Sequence, residues 1–387
     1  MTSRERVRMA LNHQEPDQVP VDLWGSASRV HTGEYLKIAQ AKGLTPRPED
    51  RIRPGTTTEY VDYRLSDMVG SDFRHLHIRR PEEFMTYETD EKGNVIDEWG
   101  IGRKMFNGFN AITLNPLADM EMDTLKKHRW PDPFRPERTL GLKEQAKDFY
   151  ENTDCAITAT SAVSGVVFEN CQYLCGTENF LCALYDDEEY VDALIDVLTE
   201  KVTQFHLNYL KDVGQYCEWV EFTEDFATQN GLFISPQLFR RFFKRGHTEM
   251  FSAIKKAHPN IKIWFHSCGS LHPLIGDLID CGVDIINPMQ PFAKDMDSEK
   301  LKREFGDAVC FHGGVDIQYA LPGTPEELET EVRKRIEAFA PGGGYILSPT
   351  NHVVNDVPVD NFFRMYEYAH KYGKYPIGRG ARRRQTK

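Results

Sequence analysis

From residue 154 onward the chain repeats one rhythm: a short apolar run, a polar loop, then a longer amphipathic stretch. Strands that alternate with helices build a parallel sheet with both faces covered. The expected strands lie at 156–160, 218–222, 261–265, 283–287, 308–311 and 344–348. Helices are expected at 168–182, 188–213, 235–258, 271–281, 298–305, 324–339 and 359–372. Their ends are punctuated. Ser235–Pro236 and Thr324–Pro325–Glu326–Glu327 place an N-cap before a proline in the first turn, and Gly214, Pro259 and Gly282 stop the chain afterwards. An open nucleotide-binding sheet would carry Gly-x-Gly-x-x-Gly between a strand and a helix. The triple glycine Gly342–Gly344 instead precedes a strand. The pattern therefore predicts an α/β fold, a (β/α)8 TIM barrel with an irregular N-terminal extension.

Residues 1–387 are expected to form a single barrel domain. Positions 1–150 contain the extension and the first one or two barrel units, and 151–375 hold the main β/α units. The extension is broken by prolines, 130–138 reads as an extended connector, and 85–99 reads as a hairpin turning at Lys92–Gly93–Asn94. A formal charge of −12 argues against sequence-independent binding to nucleic acid. The basic residues Arg379, Arg382, Arg383, Arg384 and Lys387 are expected to be a solvated tail. There is no apolar run of about 18 residues to span a membrane, and the N-terminus lacks a leader's apolar stretch. Eight cysteines without such a leader point to a reducing cytoplasm.

In a barrel, chemistry collects where strands end. Five consecutive expected strands are followed by Thr223–Glu224–Asp225, His266–Ser267–Cys268, Asn287–Pro288–Met289–Gln290, His312–Gly313–Gly314–Val315–Asp316 and Ser348–Pro349–Thr350–Asn351–His352. One rim thus receives carboxylates, imidazoles, a thiol and amides. His266 and Cys268 are two apart at a strand end, so both can face the same side. Imidazole and thiolate are zinc ligands, and a catalytic zinc takes three protein ligands and keeps one position open. His352 is the natural third ligand, with Asn351, His312, Glu221 and Asp225 as competitors. Cys171 and Cys175, spaced i, i+4, are expected to line a helix core.

Several segments carry a resemblance: 2–20, 70–75, 97–100, 130–133, 224–229, 266–269 (HSCG), 283–290 and 342–349. On these the chain resembles the uroporphyrinogen decarboxylase superfamily, and within it the corrinoid-dependent, zinc-containing methyltransferases. The resemblance implies Zn2+ held by His266 and Cys268; where the thiol-methylating members place a further cysteine after the last strand, this chain has Asn351–His352, so either His352 is the third ligand or an upstream carboxylate takes that place. Glu224, Asp225 and Asp316 are the expected catalytic groups, and Asn287, Gln290 and Asn351 are expected on the substrate. The resemblance also implies a corrinoid (cobalamin) brought by a partner protein, since no corrinoid-carrying motif is present. The expected reaction moves a methyl group between a small molecule (methyl ether, methylamine or thiol) and that corrinoid, leaning to demethylation. Two alternatives stand beside it: a decarboxylase or lyase using Asp72 or Asp225, and a non-catalytic corrinoid- or ligand-binding module. The superfamily's decarboxylases grip their substrate with paired arginines in the stretch corresponding to 22–35, where this chain has only Arg29.

Overall fold

The structure is a computed structural model and describes residues 1–84, 89–91, 93–106 and 109–377. Part of the expected hairpin (85–88 and 92) and the basic tail lie outside the described residues. Seven strands lie side by side in chain order: β1 (Phe73–Leu76), β2 (Ala156–Ala159), β3 (Cys217–Thr223), β4 (Lys262–His266), β5 (Ile285–Asn287), β6 (Cys310–Val315) and β7 (Tyr345–Pro349). All their pairings are parallel.

The eighth place is taken by a short N-terminal segment, residues 20–22. Asp22 N–H donates to Leu347 O at 2.9 Å, Leu347 N–H donates to Pro20 O at 2.9 Å, and Asp72 N–H donates to Val21 O at 3.0 Å. The segment therefore bridges β7 to the entrance of β1 and closes the (β/α)8 barrel, which leaves no open sheet edge there.

The barrel interior has two levels, because side chains alternate along a strand. Phe73, Ala156, Trp219, Trp264, Ile285, Cys310 and Ile346 form one apolar cluster with Val7 and Leu11. Those last two come from the helix Ser3–Leu11, which is fixed by a Thr2/Glu5 capping box. The helix plugs the N-terminal end of the barrel. Two residues further along each strand stand His75, Thr158, Glu221, His266, Asn287, His312 and Ser348, all buried. The floor is thus apolar and the level above it polar. A second, larger core packs the outer faces of the strands, such as Val220, Ile263 and Ile286, against the surrounding helices.

Most helices match the sequence pattern, among them Ser298–Phe305 and Val359–Tyr372. The expected 168–182 helix is instead two, Phe168–Cys175 and Thr177–Asp186. Gly176 divides them at φ +88, a conformation that interrupts a right-handed helix. Cys171 and Cys175 are buried in the core. The extension carries an antiparallel sheet of Val95–Ile96, Gly102–Phe106 and Phe109–Leu114.

Candidate metal centre at the barrel mouth

β4 ends on His266, and the loop after it presents Cys268. It passes so close to the two-residue strand Ala227–Thr228 that a Cβ on Gly269 would lie 2.4 Å from Thr228 O, at a φ of +86. Only glycine fits there, and the close approach fixes where Cys268 points. The loop after β3 brings Asp225 to the same place. Its Oδ1 accepts the Cys268 N–H at 2.7 Å and lies 3.6 Å from His266 Nε2. Cys268 Sγ is 3.3 Å from His266 Nε2. Asp225, His266 and Cys268 thus offer an oxygen, a nitrogen and a sulfur, all within 4.8 Å of one another.

A line of buried hydrogen bonds sets the polarity of the His266 ring. It starts at Asp22, whose carboxylate is kept below its usual range. Burial alone would raise it, and His75 and His312 outweigh that effect. Asp22 Oδ2 accepts from His312 Nε2 at 3.1 Å, so the His312 proton sits on Nε2 and its Nδ1 accepts from Asn287 Nδ2 at 2.8 Å. Asn287 Oδ1 then accepts from His266 Nδ1. The free lone pair of His266 is left on Nε2, facing Asp225 and Cys268, which is the tautomer a metal ligand requires.

Acidic groups crowd the cluster. Burial pushes the Cys268 thiol well up, and the Asp225 charge adds to it. Glu169 donates no charge balance: burial and Asp225 push its carboxyl up to about 8. The Glu169 carboxyl accepts the Asp225 N–H at 3.1 Å and the Tyr173 hydroxyl. Acids crowded in this way are relieved when a bound cation favours their ionised forms. Cys268 Sγ also receives Asn351 Nδ2 at 3.3 Å and Gln290 Nε2 at 3.4 Å. Such donors suit a thiolate. One imidazole, one thiolate and one carboxylate are a fitting donor set for zinc with a position left open.

Not every residue expected at the site is brought to it. His352 stands on the rim without joining the cluster. Val353 is tied to Val30 by a bridge, and His352 Nδ1 accepts the Arg29 N–H at 3.2 Å, which turns the ring toward the N-terminal segment. Glu224 points the other way from Asp225. It accepts Val167 N–H at 2.6 Å, the Phe168 N–H and His247 Nε2 at 2.7 Å. Asp316 caps the turn beneath it through Tyr319 N–H and Ala320 N–H. Asn287, Gln290 and Asn351 are at the site, where they hold His266 and Cys268. Of the competing ligands, His312 and Glu221 belong to the polar level inside the barrel. Asp72 lies at the opposite end, 2.6 Å from Arg6 Nη1. Sequence reading missed Glu169 and Tyr173. The signal was the loop after the first expected strand, a sixth strand end with an i, i+4 Glu–Tyr pair behind it.

The fold and site together define a closed β/α barrel with a candidate metal-ligand cluster at its C-terminal mouth. Residues 118–372 match the model of the uroporphyrinogen decarboxylase (URO-D) family. The chain belongs to that family. Its curated relatives include the uroporphyrinogen decarboxylase of Chlorobaculum tepidum, 21% identical over 199 residues, 50% of this chain and 53% of the relative. They also include the methylcobamide:CoM methyltransferase MtaA of Methanosarcina barkeri, 25% identical over 129 residues, 33% of this chain and 34% of that one. The chain spans about half the length of the first of these relatives and a third of the second. Among solved structures, a methyltransferase from Methanosarcina mazei has the same fold. Its TM-score is 0.66 at 18% identity, covering 96% of this chain and 99% of that one.

Proposed function

We propose that the protein is a zinc-dependent methyltransferase that moves a methyl group from a small molecule to the corrinoid of a partner protein. The observation that carries this reading is the Asp225–His266–Cys268 cluster at the open end of the barrel. The likeness to MtaA and to the Methanosarcina mazei methyltransferase supports it. Zinc, when bound, supplies Lewis acidity to the heteroatom that carries the methyl group. The chain's own residues do the rest. Asn287 holds the His266 ring, Gln290 and Asn351 hold the Cys268 sulfur, and Asp225 fixes the Cys268 backbone. A single thiolate, with imidazole and carboxylate beside it, makes a harder site than several thiolates would. That favours oxygen or nitrogen as the leaving atom, hence demethylation of a methyl ether or methylamine.

The decarboxylase alternative loses one of its two acids, because Asp72 is paired with Arg6 at the far end of the barrel. Metal analysis tests the proposal directly. We expect about one zinc per chain, lost in the His266→Ala, Cys268→Ala double variant together with methyl transfer to reduced free corrinoid. A metal-free preparation that keeps full transfer activity overturns the reading. A zinc-loaded protein that binds corrinoid protein and transfers nothing from methyl ethers, methylamines or thiols favours a binding module.

A further inference from the structure

Asp22 occupies a place where an apolar side chain would serve the barrel wall as well. It stands in the closing segment 20–22 and is fully buried. Its counter-charge is His75, also fully buried. His75 Nε2 lies 2.8 Å from Asp22 Oδ1, and its Nδ1 lies 2.6 Å from Thr158 Oγ1. Burial alone would lower the His75 pKa; Asp22 and Glu221 outweigh it and raise it. The other Asp22 oxygen, Oδ2, accepts the Ser28 hydroxyl at 2.9 Å. Buried ion pairs add little stability over well-packed apolar side chains, so a carboxylate kept at such a position asks for another use.

That use lies along the hydrogen bonds from Oδ2 to His312 Nε2 at 3.1 Å, then through Asn287 to His266. Each step has a direction. A carboxylate only accepts, so His312 donates through Nε2 and accepts through Nδ1. Asn287 Nδ2 is held to the same sense by a second acceptor, the backbone O of His312 at 3.1 Å. The closing segment lies between β7 and β1, across the barrel from β4, so the line crosses the interior. We propose that Asp22 is a positioning residue for the metal: acting through His312 and Asn287, it keeps the His266 proton on Nδ1 and raises the affinity of Nε2 for the cation. This rests on the zinc site of the methyltransferase reading above. Hydrogen bonds in a chain polarise one another, and a buried charge at its end is little screened. The closing segment thus supplies no ligand to the cluster and still acts on it.

Zinc titration of the full chain against a competing chelator tests the proposal. Asp22→Asn keeps the shape and an acceptor and removes the charge; it should weaken zinc binding about threefold or more. Asn287→Leu cuts the line next to the ligand and should weaken it about tenfold. Adding Asp22→Asn to Asn287→Leu should then cost no further zinc affinity, whereas a merely structural Asp22 would cost the same in both backgrounds. A second pair leaves the Asp22–His75 contact in place. His312→Gln can still donate to Asp22 and accept from Asn287, and should keep zinc affinity near that of wild type; His312→Leu should lose at least as much as Asp22→Asn. Ring-nitrogen spectra of metal-free protein with isotope-labelled histidine read the line without zinc: His312 should carry its proton on Nε2 and His266 on Nδ1. Four results overturn the proposal: unchanged zinc affinity in Asp22→Asn, an equal further loss in the Asn287→Leu background, equal loss in both His312 variants, or the opposite proton placement on either ring. Tight zinc binding that ignores Asp22 leaves the methyltransferase reading standing. The expected proton placement in a wild type that takes up no zinc removes that reading and keeps the line from Asp22 to His266.

Discussion

Glu224 and Asp225 are neighbours in sequence and part company in the structure. Alternation at the end of β3 sends one carboxylate outward to a helix and the other into the mouth. Glu224 satisfies the backbone N–H groups of Val167 and Phe168 and pairs with His247, with no exposed surface of its own. Breaking a buried pair leaves its partner uncompensated and costs about 3–5 kcal/mol. Glu224→Ala should therefore lower the melting temperature strongly while the folded fraction keeps its zinc. Asp225→Ala should do the opposite, losing zinc with a small change in melting; equal zinc loss in both variants contradicts the assignment. The sequence made His266 and Cys268 legible because their spacing is local. It could not choose between His352 and Asp225, because that depends on how Val353 is tied to Val30, 323 residues away in chain order.

At the level of elements, caps and strand ends were readable and closure was not. Thr324 and Pro325 open the helix Pro325–Phe339 where the capping signal puts it. The segment 20–22 lies in the short apolar run 19–24, where Pro20 argues against a strand, and it becomes a wall strand through its hydrogen bonds with Leu347 and Asp72. One helix offers a pH test. His206, on Glu188–Leu210, is buried against the Phe222 ring with centroids 4.1 Å apart, and burial lowers its pKa to about 4. The folded state thus refuses a proton that the unfolded chain accepts. Its contribution to stability is full above about 6.5 and is lost as pH falls toward 4. Measured by thermal melting, wild type should lose more stability over that interval than His206→Gln. The excess should be on the order of a few kcal/mol. Parallel curves contradict a neutral buried His206.

For the whole molecule, the proposed transfer to a corrinoid protein requires that partner to meet the chain at the mouth. Phe292 and Tyr319, 60% and 67% exposed, stand edge to face 5.2 Å apart on the loops after β5 and β6. Aromatic side chains exposed together are common anchors of protein interfaces. The double variant Phe292→Ser, Tyr319→Ser should raise KM for the corrinoid protein several-fold, with zinc content and transfer to free corrinoid unchanged. Unaltered KM places the docking surface elsewhere. The opposite end of the barrel is stoppered by Val7 and Leu11 of the first helix, resting on a floor of tryptophan, phenylalanine and aliphatic side chains. A vessel with a floor has one door. If a protein partner sits across that door, the small molecule must already be inside, and the spent molecule waits until the partner lifts away. Turnover would then obey a compulsory order, and a large excess of partner would slow the enzyme by sealing it empty.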